Sequence, residues 1–351
     1  MTLLDGITSR MIPTTRLAVN ILERVGDDPA TPGEKTIGLI HGNASSSLFW
    51  QEIMQALPAD LRVIAIDLRG FGATEILPVD GTRGLRDFSD DVHATLEALG
   101  LGPIHLVGWS MGGGVVMQYA LEHPVLSLTL QAPVSPYGFG GTRRDGSMLT
   151  EDNAGVGGGG ANPDFIQRIL AHDMSDEAPT SPRNVFRGGY VAAGYTSEHE
   201  DIWVESMLTT ATGIDNYPGD LAASESWPGF AAGTKGVLNT MAPKYFNTSG
   251  LVELAVKPPV LWIHGTADAI VSDTSYYDLN MLGKVEIIPG WPGDEIYPPQ
   301  PMVTQMRYVL QCYAAAGGKF VEHVIPETAH SPHIEKPAEF NALFHPFLRG
   351  T

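Results

Sequence analysis

The chain has 351 residues, 43% of them hydrophobic and 17% charged, which is enough apolar material for a full core and enough length for two domains. Its formal net charge of −19 excludes nucleic acid as a partner, because phosphate groups are bound by clusters of basic side chains. No apolar stretch is long enough to cross a bilayer, and the first residues lack the profile of a secretion signal, so we expect a cytoplasmic protein with no membrane contact. Because Cys312 is the single cysteine, we expect no disulfide within the chain.

Strands and helices alternate in both flanking parts of the sequence. Apolar runs predict strands at residues 9–12, 17–22, 36–40, 62–66, 104–107, 128–130, 259–264 and 320–325. Helical spacing of apolar residues predicts helices at residues 49–57 and 88–99, and a third helix that begins near Met302. This alternation predicts an α/β fold with a mostly parallel, doubly wound sheet, formed by residues 1–134 and 251–351.

A serine occupies the junction between the predicted strand at 104–107 and the helical pattern that follows it. In the segment Gly108-Trp109-Ser110-Met111-Gly112, one glycine lies two residues before Ser110 and another lies two residues after it. A turn this tight needs residues almost without side chains at those two positions, and it lifts the serine hydroxyl clear of the sheet. We therefore predict that Ser110 is a nucleophile.

Residues 135–250 break the alternation and form a predicted insertion. The insertion contains helix-like stretches at 163–174 and 197–210, and four consecutive glycines at 157–160 that we interpret as a hinge or an exposed loop. Because it emerges at the edge of the sheet that carries the crevice, we expect a mainly helical lid. Its aromatic side chains and Trp109 predict a pocket for an apolar substrate of moderate size. The candidate pocket residues are His41, Gly42, Trp109, Phe139, Trp203, Trp227 and Trp291.

A serine hydroxyl needs a base and a group that orients the base. The loops after the last two predicted strands supply Asp268 and His330, and loops at the carboxyl ends of parallel strands share one crevice. His333 is the alternative base, three residues further along the same loop. The segment 128–134 contains no carboxylate that could take the place of Asp268.

The loop at residues 285–299 is too rich in proline for a regular element. It leaves the same edge of the sheet as Asp268. Two interpretations of Trp291 and Tyr297 remain open, because these side chains either form a wall of the pocket entrance or hold the loop against the surface.

Taken together, the motifs resemble the serine α/β-hydrolases of the esterase, haloperoxidase-like and C–C hydrolase branch. The matching segments are His41-Gly42-Asn43, residues 67–72, the serine turn, residues 265–268 with Val271, and His330-Ser331-Pro332 with Glu335 and Pro337. They occur in the family's order and span the chain except for its middle third. The resemblance implies a catalytic triad of Ser110, Asp268 and His330, with the backbone amides of Asn43 and Met111 as oxyanion donors.

Three functions remain open on this basis, each with a small molecule as the partner and with no cofactor and no metal. The first is hydrolysis of a carboxylic ester or lactone through an acyl-enzyme. The second is hydrolysis of a C–C bond or an amide by the same triad, and the third is a ligand receptor on a hydrolase fold with little turnover. Epoxide hydrolases and dehalogenases are disfavoured because they carry an aspartate where this chain has Ser110. The oligomeric state is left open.

Overall fold

A computed structural model describes residues 1–24 and 36–351 of the chain and contains a central sheet of eight strands. The strands of the described residues are β1 (Thr8–Pro13), β2 (Ala18–Arg24), β3 (Thr36–Ile40), β4 (Arg62–Ile66), β5 (His105–Trp109), β6 (Ser127–Gln131), β7 (Thr212–Gly213), β8 (Tyr217–Pro218), β9 (Leu221–Ala223), β10 (Phe230–Ala232), β11 (Val260–Gly265) and β12 (Phe320–Ile325). The central sheet has the order β1-β2-β4-β3-β5-β6-β11-β12. β1 and β2 pair antiparallel with each other, β2 pairs antiparallel with β4, and the remaining pairs are parallel.

Helices flank the sheet and connect its strands. In the described part of the chain they are α1 (Gln51–Ala56), α2 (Arg86–Ala98), α3 (Met111–Glu122), α4 (Pro163–Leu170), α5 (Pro182–Val185), α6 (Glu200–Leu208), α7 (Leu279–Lys284), α8 (Met302–Ala315), α9 (Pro332–Glu335) and α10 (Pro337–Arg349). α3 packs against β3, β5 and β6, whereas α10 packs against β11 and β12. The predicted doubly wound α/β fold is confirmed, and each strand of the central sheet lies within two residues of its predicted bounds.

The central strands are apolar because the sheet is covered on both faces. Every residue of β3, β5, β6 and β11 is buried, as expected for parallel strands with helices on either side. Parallel registers bring the carboxyl ends of these strands to one edge: Ile40 lies opposite Gly108, and Trp109 lies opposite Gln131. The loops after β3, β5, β11 and β12 therefore meet at the same edge of the sheet.

Residues 135–250, called the insertion below, leave the sheet between β6 and β11 and add no strand to it. Helices make up most of its regular structure, and the two predicted helical stretches contain α4 and α6. Two small sheets that the sequence did not predict accompany them, one formed by β7 and β8 and the other by β9 and β10. None of the helices in the described residues has the length and apolar character needed to span a membrane.

Candidate active site

Ser110 lies on a sharp turn between β5 and α3, at the carboxyl edge of the sheet. Its φ of 56° and ψ of −120° place it outside the regions that residues with a side chain normally adopt. A Cβ added to Gly108 would lie 2.3 Å from the carbonyl oxygen of Gly112. A Cβ added to Gly112 would lie 2.3 Å from the carbonyl oxygens of Ile40 and His41. The two glycines therefore allow the close backbone approach that the turn requires.

The loops after β11 and β12 bring a carboxylate and an imidazole together. Nδ1 of His330 donates to Oδ2 of Asp268 over 2.9 Å, and each side chain is only 2% exposed. The other oxygen of Asp268 accepts the backbone amides of Ile270 and Val271 at 2.8 and 2.9 Å. With its hydrogen on Nδ1, the imidazole has Nε2 as the nitrogen that can accept a proton.

Two side chains, Glu335 and Trp109, hold the backbone around His330. The carboxylate of Glu335 accepts the amide of Ala329 at 2.9 Å and the amide of Ser331 at 3.2 Å, so it holds the peptide groups before and after the histidine. The indole Nε1 of Trp109 donates to the carbonyl oxygen of His330 over 2.8 Å. Burial raises the pKa of Glu335, and its bonds to the amides oppose that rise. The position of the imidazole is thus defined by backbone as well as side-chain contacts.

Ser110 and His330 open onto one cavity of about 370 Å³. Asn43, from the loop after β3, lies on the same cavity wall. Among the described residues, no hydrogen bond links the Ser110 hydroxyl to His330, although the bond from His330 to Asp268 is formed. Contacts between a nucleophile and its base are often long in the absence of substrate, because they tighten when the substrate binds.

His333, the alternative base, lies away from this cavity in a fully buried site. Its Nδ1 accepts from the side-chain amide of Gln131 at 2.6 Å, and its Nε2 donates to the carbonyl oxygen of Phe49 over 3.2 Å. Burial lowers the pKa of His333 to about 3. Both ring nitrogens therefore have partners, and the ring is neutral near pH 7.

The loop after β3 has a fixed backbone orientation at Asn43. The carbonyl oxygen of Gly42 accepts from Nδ1 of His41 and from the hydroxyl of Ser45, each at 2.8 Å, while Nε2 of His41 accepts the Leu68 amide at 3.0 Å. A trans peptide group holds its N–H opposite its C=O. Because the Gly42 carbonyl points toward His41 and Ser45, the amide of Asn43 points the other way.

Met111 is the first residue of α3, directly after Ser110. The first amides of a helix have no carbonyl partner inside the helix and carry its partial positive charge. The amide of Met111 therefore belongs to a group of donors that can stabilise negative charge near Ser110.

Comparisons with known proteins agree with this architecture. Residues 35–171 match the family model described as alpha/beta hydrolase fold. The structure superimposes on carboxylesterase CesB from Bacillus subtilis with a TM-score of 0.58 at 14% identity, covering 98% of this chain and 92% of that chain. It also superimposes on an esterase from Exiguobacterium antarcticum with a TM-score of 0.56 at 14% identity, covering 97% of this chain and all of that chain. The chain has the α/β-hydrolase fold.

Sequence relatives of the chain are hydrolases of different kinds. The chain is 27% identical over 265 residues to a 2-hydroxy-6-oxononadienedioate/2-hydroxy-6-oxononatrienedioate hydrolase from Burkholderia vietnamiensis, covering 72% of this chain and 79% of the relative. It is 34% identical over 107 residues to monoacylglycerol lipase abhd6-B from Xenopus laevis, covering 29% of this chain and 32% of that lipase.

Of the predicted pocket residues, Phe139 lies on the wall of the cavity next to Ser110. Two other predicted pocket residues belong to the core instead. Trp203 is 2% exposed and stacks on Phe186 with 5.5 Å between ring centroids. Trp109 is fully buried beneath the site. The sequence predicts that these tryptophans make apolar contacts, but it does not show whether they face the cavity or the core from the insertion and from β5.

His41 and Gly42 lie behind the nucleophile rather than on the cavity wall. A Cβ added to Gly42 would lie 2.9 Å from Cβ of Ser110, so the glycine allows close packing against the serine. His41 is fully buried, and its ring nitrogens are used within the core. Their placement corrects the prediction that they line the pocket.

Trp227 and Trp291 also lie away from the cavity wall. The indole of Trp227 donates to the carbonyl oxygen of Pro289 over 3.0 Å, and the indole of Trp291 donates to the carbonyl oxygen of Tyr297 over 3.0 Å. The ring of Tyr297 contacts Trp227 edge to face, with 5.6 Å between centroids. Of the two interpretations left open by the sequence, these contacts favour the second. Tyr297 holds the loop at 285–299 against Trp227 of the insertion, and Trp291 closes the loop on itself.

The sequence did not single out several residues that face the cavity. Four tyrosines and one carboxylate lie on its wall: Tyr190, Tyr217, Tyr276, Tyr277 and Asp278. The last three follow Asp268 within ten residues at the same edge of the sheet. That position in the sequence could have indicated that they face the cavity. Among residues 1–24 and 36–351, no group of three His, Cys, Asp or Glu side chains is arranged to hold a metal ion.

Proposed function

We propose that this α/β-hydrolase is a serine-dependent enzyme that cleaves a carboxylic ester or lactone of an apolar substrate through an acyl-enzyme. One observation carries the proposal: His330 is hydrogen-bonded to Asp268 and lies on the wall of the same cavity as Ser110, which occupies a strained turn. The esterases and lipases among its relatives and structural neighbours support hydrolysis as the general reaction.

In the first half of the reaction, Oγ of Ser110 attacks the ester carbonyl carbon while Nε2 of His330 takes the hydroxyl proton. Asp268 stabilises the imidazolium that forms and keeps it in the correct orientation. The carbonyl oxygen becomes an oxyanion, which the amides of Asn43 and Met111 stabilise. When the tetrahedral intermediate collapses, the bond to the alcohol oxygen breaks, and His330 returns the proton to that oxygen.

In the second half, water attacks the acyl group on Ser110 and gives its proton to Nε2 of His330. The new tetrahedral intermediate collapses to a carboxylic acid, and His330 returns the proton to Oγ of Ser110. A lactone follows the same steps, except that its alcohol remains part of the acyl chain.

We propose that the insertion acts as the lid of this enzyme. It supplies one side of the cavity, and the sheet edge with Ser110 supplies another. The residues that the insertion contributes include Phe139, Val156, Phe165, Tyr217, Leu238 and Met241. Their apolar character supports an apolar acyl or alcohol group, and a cavity of about 370 Å³ supports a substrate of moderate size.

Hydrolysis of a C–C bond is the second candidate, because the alignment with the dienedioate hydrolase covers 72% of the chain. A dioate carries two carboxylates, whereas the cavity wall here carries the carboxylate of Asp278. Charges of the same sign repel each other strongly where water is excluded. The wall therefore favours an uncharged ester over a dioate.

The test is hydrolysis of a panel of p-nitrophenyl esters and lactones of increasing chain length by the wild type and by Ser110→Ala. We expect the variant to lose roughly a million-fold in kcat, because removing the nucleophile disables the whole triad. A fluorophosphonate probe should phosphonylate Ser110 of the wild type with loss of fluoride, which adds the mass of the probe minus HF, and should leave the variant unlabelled.

Ser147→Ala is the matched control, because Ser147 is a serine of the insertion whose hydroxyl donates to exposed Asp145. It should retain wild-type kcat. If Ser110→Ala retains more than about a thousandth of the wild-type activity, the serine mechanism is wrong. Stoichiometric acylation of the wild type without further rounds would instead favour a receptor.

A further inference from the structure

Tyr190 reaches from the insertion to the loop that carries the Asn43 amide. It ends the π-helical turn Phe186–Tyr190. Its hydroxyl donates to the carbonyl oxygen of Asn43 over 2.9 Å and lies 3.3 Å from the carbonyl oxygen of Ala44. The edge of its ring faces His330 with 6.1 Å between centroids. One side chain of the insertion thus contacts both the base and the loop after β3.

Two sets of contacts hold consecutive carbonyls of residues 42–45, called the oxyanion loop below. The sheet side holds the Gly42 carbonyl through His41 and Ser45. The insertion holds the next two carbonyls through the single hydroxyl of Tyr190. Because each carbonyl shares a rigid plane with the following amide, His41 and Ser45 fix the direction of the Asn43 amide. Tyr190 fixes the next two peptide planes, and so holds the part of the loop that directly follows this donor.

The oxyanion loop needs such contacts because its backbone is strained. Ala44 has a φ of 44°, which is rare for a residue with a Cβ, and it is 2% exposed. Conformations of this kind persist only when surrounding contacts impose them. The Tyr190 hydroxyl supplies contacts on both sides of the strained residue, at the carbonyl before it and at its own carbonyl.

We propose that Tyr190 is a positioning residue that holds the oxyanion loop in its donor geometry, so that docking of the insertion completes the oxyanion hole. This inference rests on the proposed serine mechanism. Burial raises the pKa of Tyr190 well above its usual value, so the hydroxyl keeps its proton and remains a donor at every pH of an ordinary assay.

The test is Tyr190→Phe, which keeps the ring against His330 and removes only the hydroxyl. We expect kcat to fall about 10- to 100-fold, less than the 100- to 1,000-fold loss for deleting an oxyanion donor, because the donor is displaced rather than removed. KM should change less than about threefold, since the cavity wall keeps its shape. The inhibition constant of a trifluoromethyl ketone, whose adduct with Ser110 carries an oxyanion, should rise by the same factor as kcat falls.

Tyr195→Phe is the matched control, because the Tyr195 hydroxyl also joins the insertion to the core by donating to the carbonyl oxygen of Ile334 over 2.8 Å. It should leave kcat and the inhibition constant unchanged. Titration of active sites with the fluorophosphonate expresses each kcat per folded enzyme, so a partly unfolded Tyr190→Phe sample still gives a result.

Two outcomes separate this inference from the mechanism beneath it. If Ser110→Ala is inactive and Tyr190→Phe has the wild-type kcat and inhibition constant, the positioning role is wrong and the serine mechanism stands. If Ser110→Ala is active, both the serine mechanism and the positioning role of Tyr190 are wrong. A Tyr190→Phe variant that raises KM alone would assign the hydroxyl to substrate binding and overturn the positioning role.

Discussion

At the scale of single residues, the Asp268 carboxylate determines which nitrogen of His330 faces the cavity. In Asp268→Asn, the amide can donate to Nδ1, which favours the imidazole with its hydrogen on Nε2 and leaves no lone pair to accept the Ser110 proton. We expect kcat to fall by roughly 10,000-fold while KM stays nearly constant. Steady-state kinetics on a short p-nitrophenyl ester measure both constants.

Asp273→Asn provides the control for this change, because Asp273 is an exposed carboxylate in the segment that follows Asp268. Its oxygens accept the amide and the hydroxyl of Thr304, so its contacts lie at the start of α8. The variant should keep wild-type kcat. Equal losses in both variants would mean that the charge of this segment, and not the imidazole tautomer, controls activity.

Residues that follow strands were predictable from the sequence, whereas residues within the insertion were not. Ser110, Asp268 and His330 each follow a strand whose apolar run marks its end, so their positions on one sheet edge follow from topology. Trp203 and Phe139 are both large aromatics of the insertion, but one is core and the other lies on the cavity wall. Only tertiary packing determines which of these two locations an aromatic side chain of the insertion takes.

At the scale of elements, the turn from β5 to α3 depends on the absence of a side chain at Gly112. In Gly112→Ala, the methyl group would lie 2.3 Å from two carbonyl oxygens at the end of β3. Since those atoms are backbone of a buried strand, they cannot move aside without disturbing the sheet. We expect the free energy of unfolding to fall by more than about 2 kcal/mol and activity to be lost. Urea unfolding followed by far-UV circular dichroism measures the first effect.

Gly102→Ala is the matched control for the turn. A Cβ at Gly102 would meet no atom within 4 Å, and its φ lies outside the positive range. The same substitution there should change the free energy of unfolding by less than about 0.5 kcal/mol. A stable and active Gly112→Ala variant would show that the turn from β5 to α3 tolerates a side chain, which would contradict the close approach of the backbone at Gly112.

The strands of the central sheet were predictable to within two residues, whereas the ends of the insertion's helices and the elements of two or three residues were not. The helix predicted at 163–174 ends at Leu170 because His172 adopts a φ of 51°, and no glycine marks that position. The strand β7 has two residues and β9 has three, which is too short for an alternating pattern to be recognised in the sequence. Such strands form only because the insertion folds back on itself.

At the scale of the whole molecule, the net charge of −19 acts differently at the surface and in the cavity. Exposed charges are screened over about 8 Å at physiological salt, so the surface contributes little to substrate choice. Asp278 is different because it is 2% exposed and lies on the cavity wall, where its carboxylate accepts the amides of Asn280 and Gln300. Specificity for charge should therefore follow this one buried carboxylate.

Burial raises the pKa of Asp278 to about 6, so the group is charged above that pH and neutral below it. We expect the enzyme to discriminate against an ester whose acyl chain ends in a sulfonate, relative to its uncharged methyl sulfone analogue. Two unit charges about 8 Å apart at an effective dielectric constant near 20 repel by roughly 2 kcal/mol, which corresponds to about 30-fold in kcat/KM at pH 8.

The ratio of kcat/KM for the two esters cancels the titration of His330, because both substrates use the same base. As the pH falls from 8 to 5, Asp278 becomes neutral and the ratio of sulfonate to sulfone should rise toward one. Asp278→Asn should show the higher ratio at every pH, whereas Asp273→Asn should behave as the wild type. If the wild type hydrolyses the sulfonate ester as fast as the sulfone at pH 8 in 0.15 M salt, Asp278 does not select against anions. The cavity would then also admit a dioate, and the argument for an ester over a C–C bond would lose its electrostatic basis.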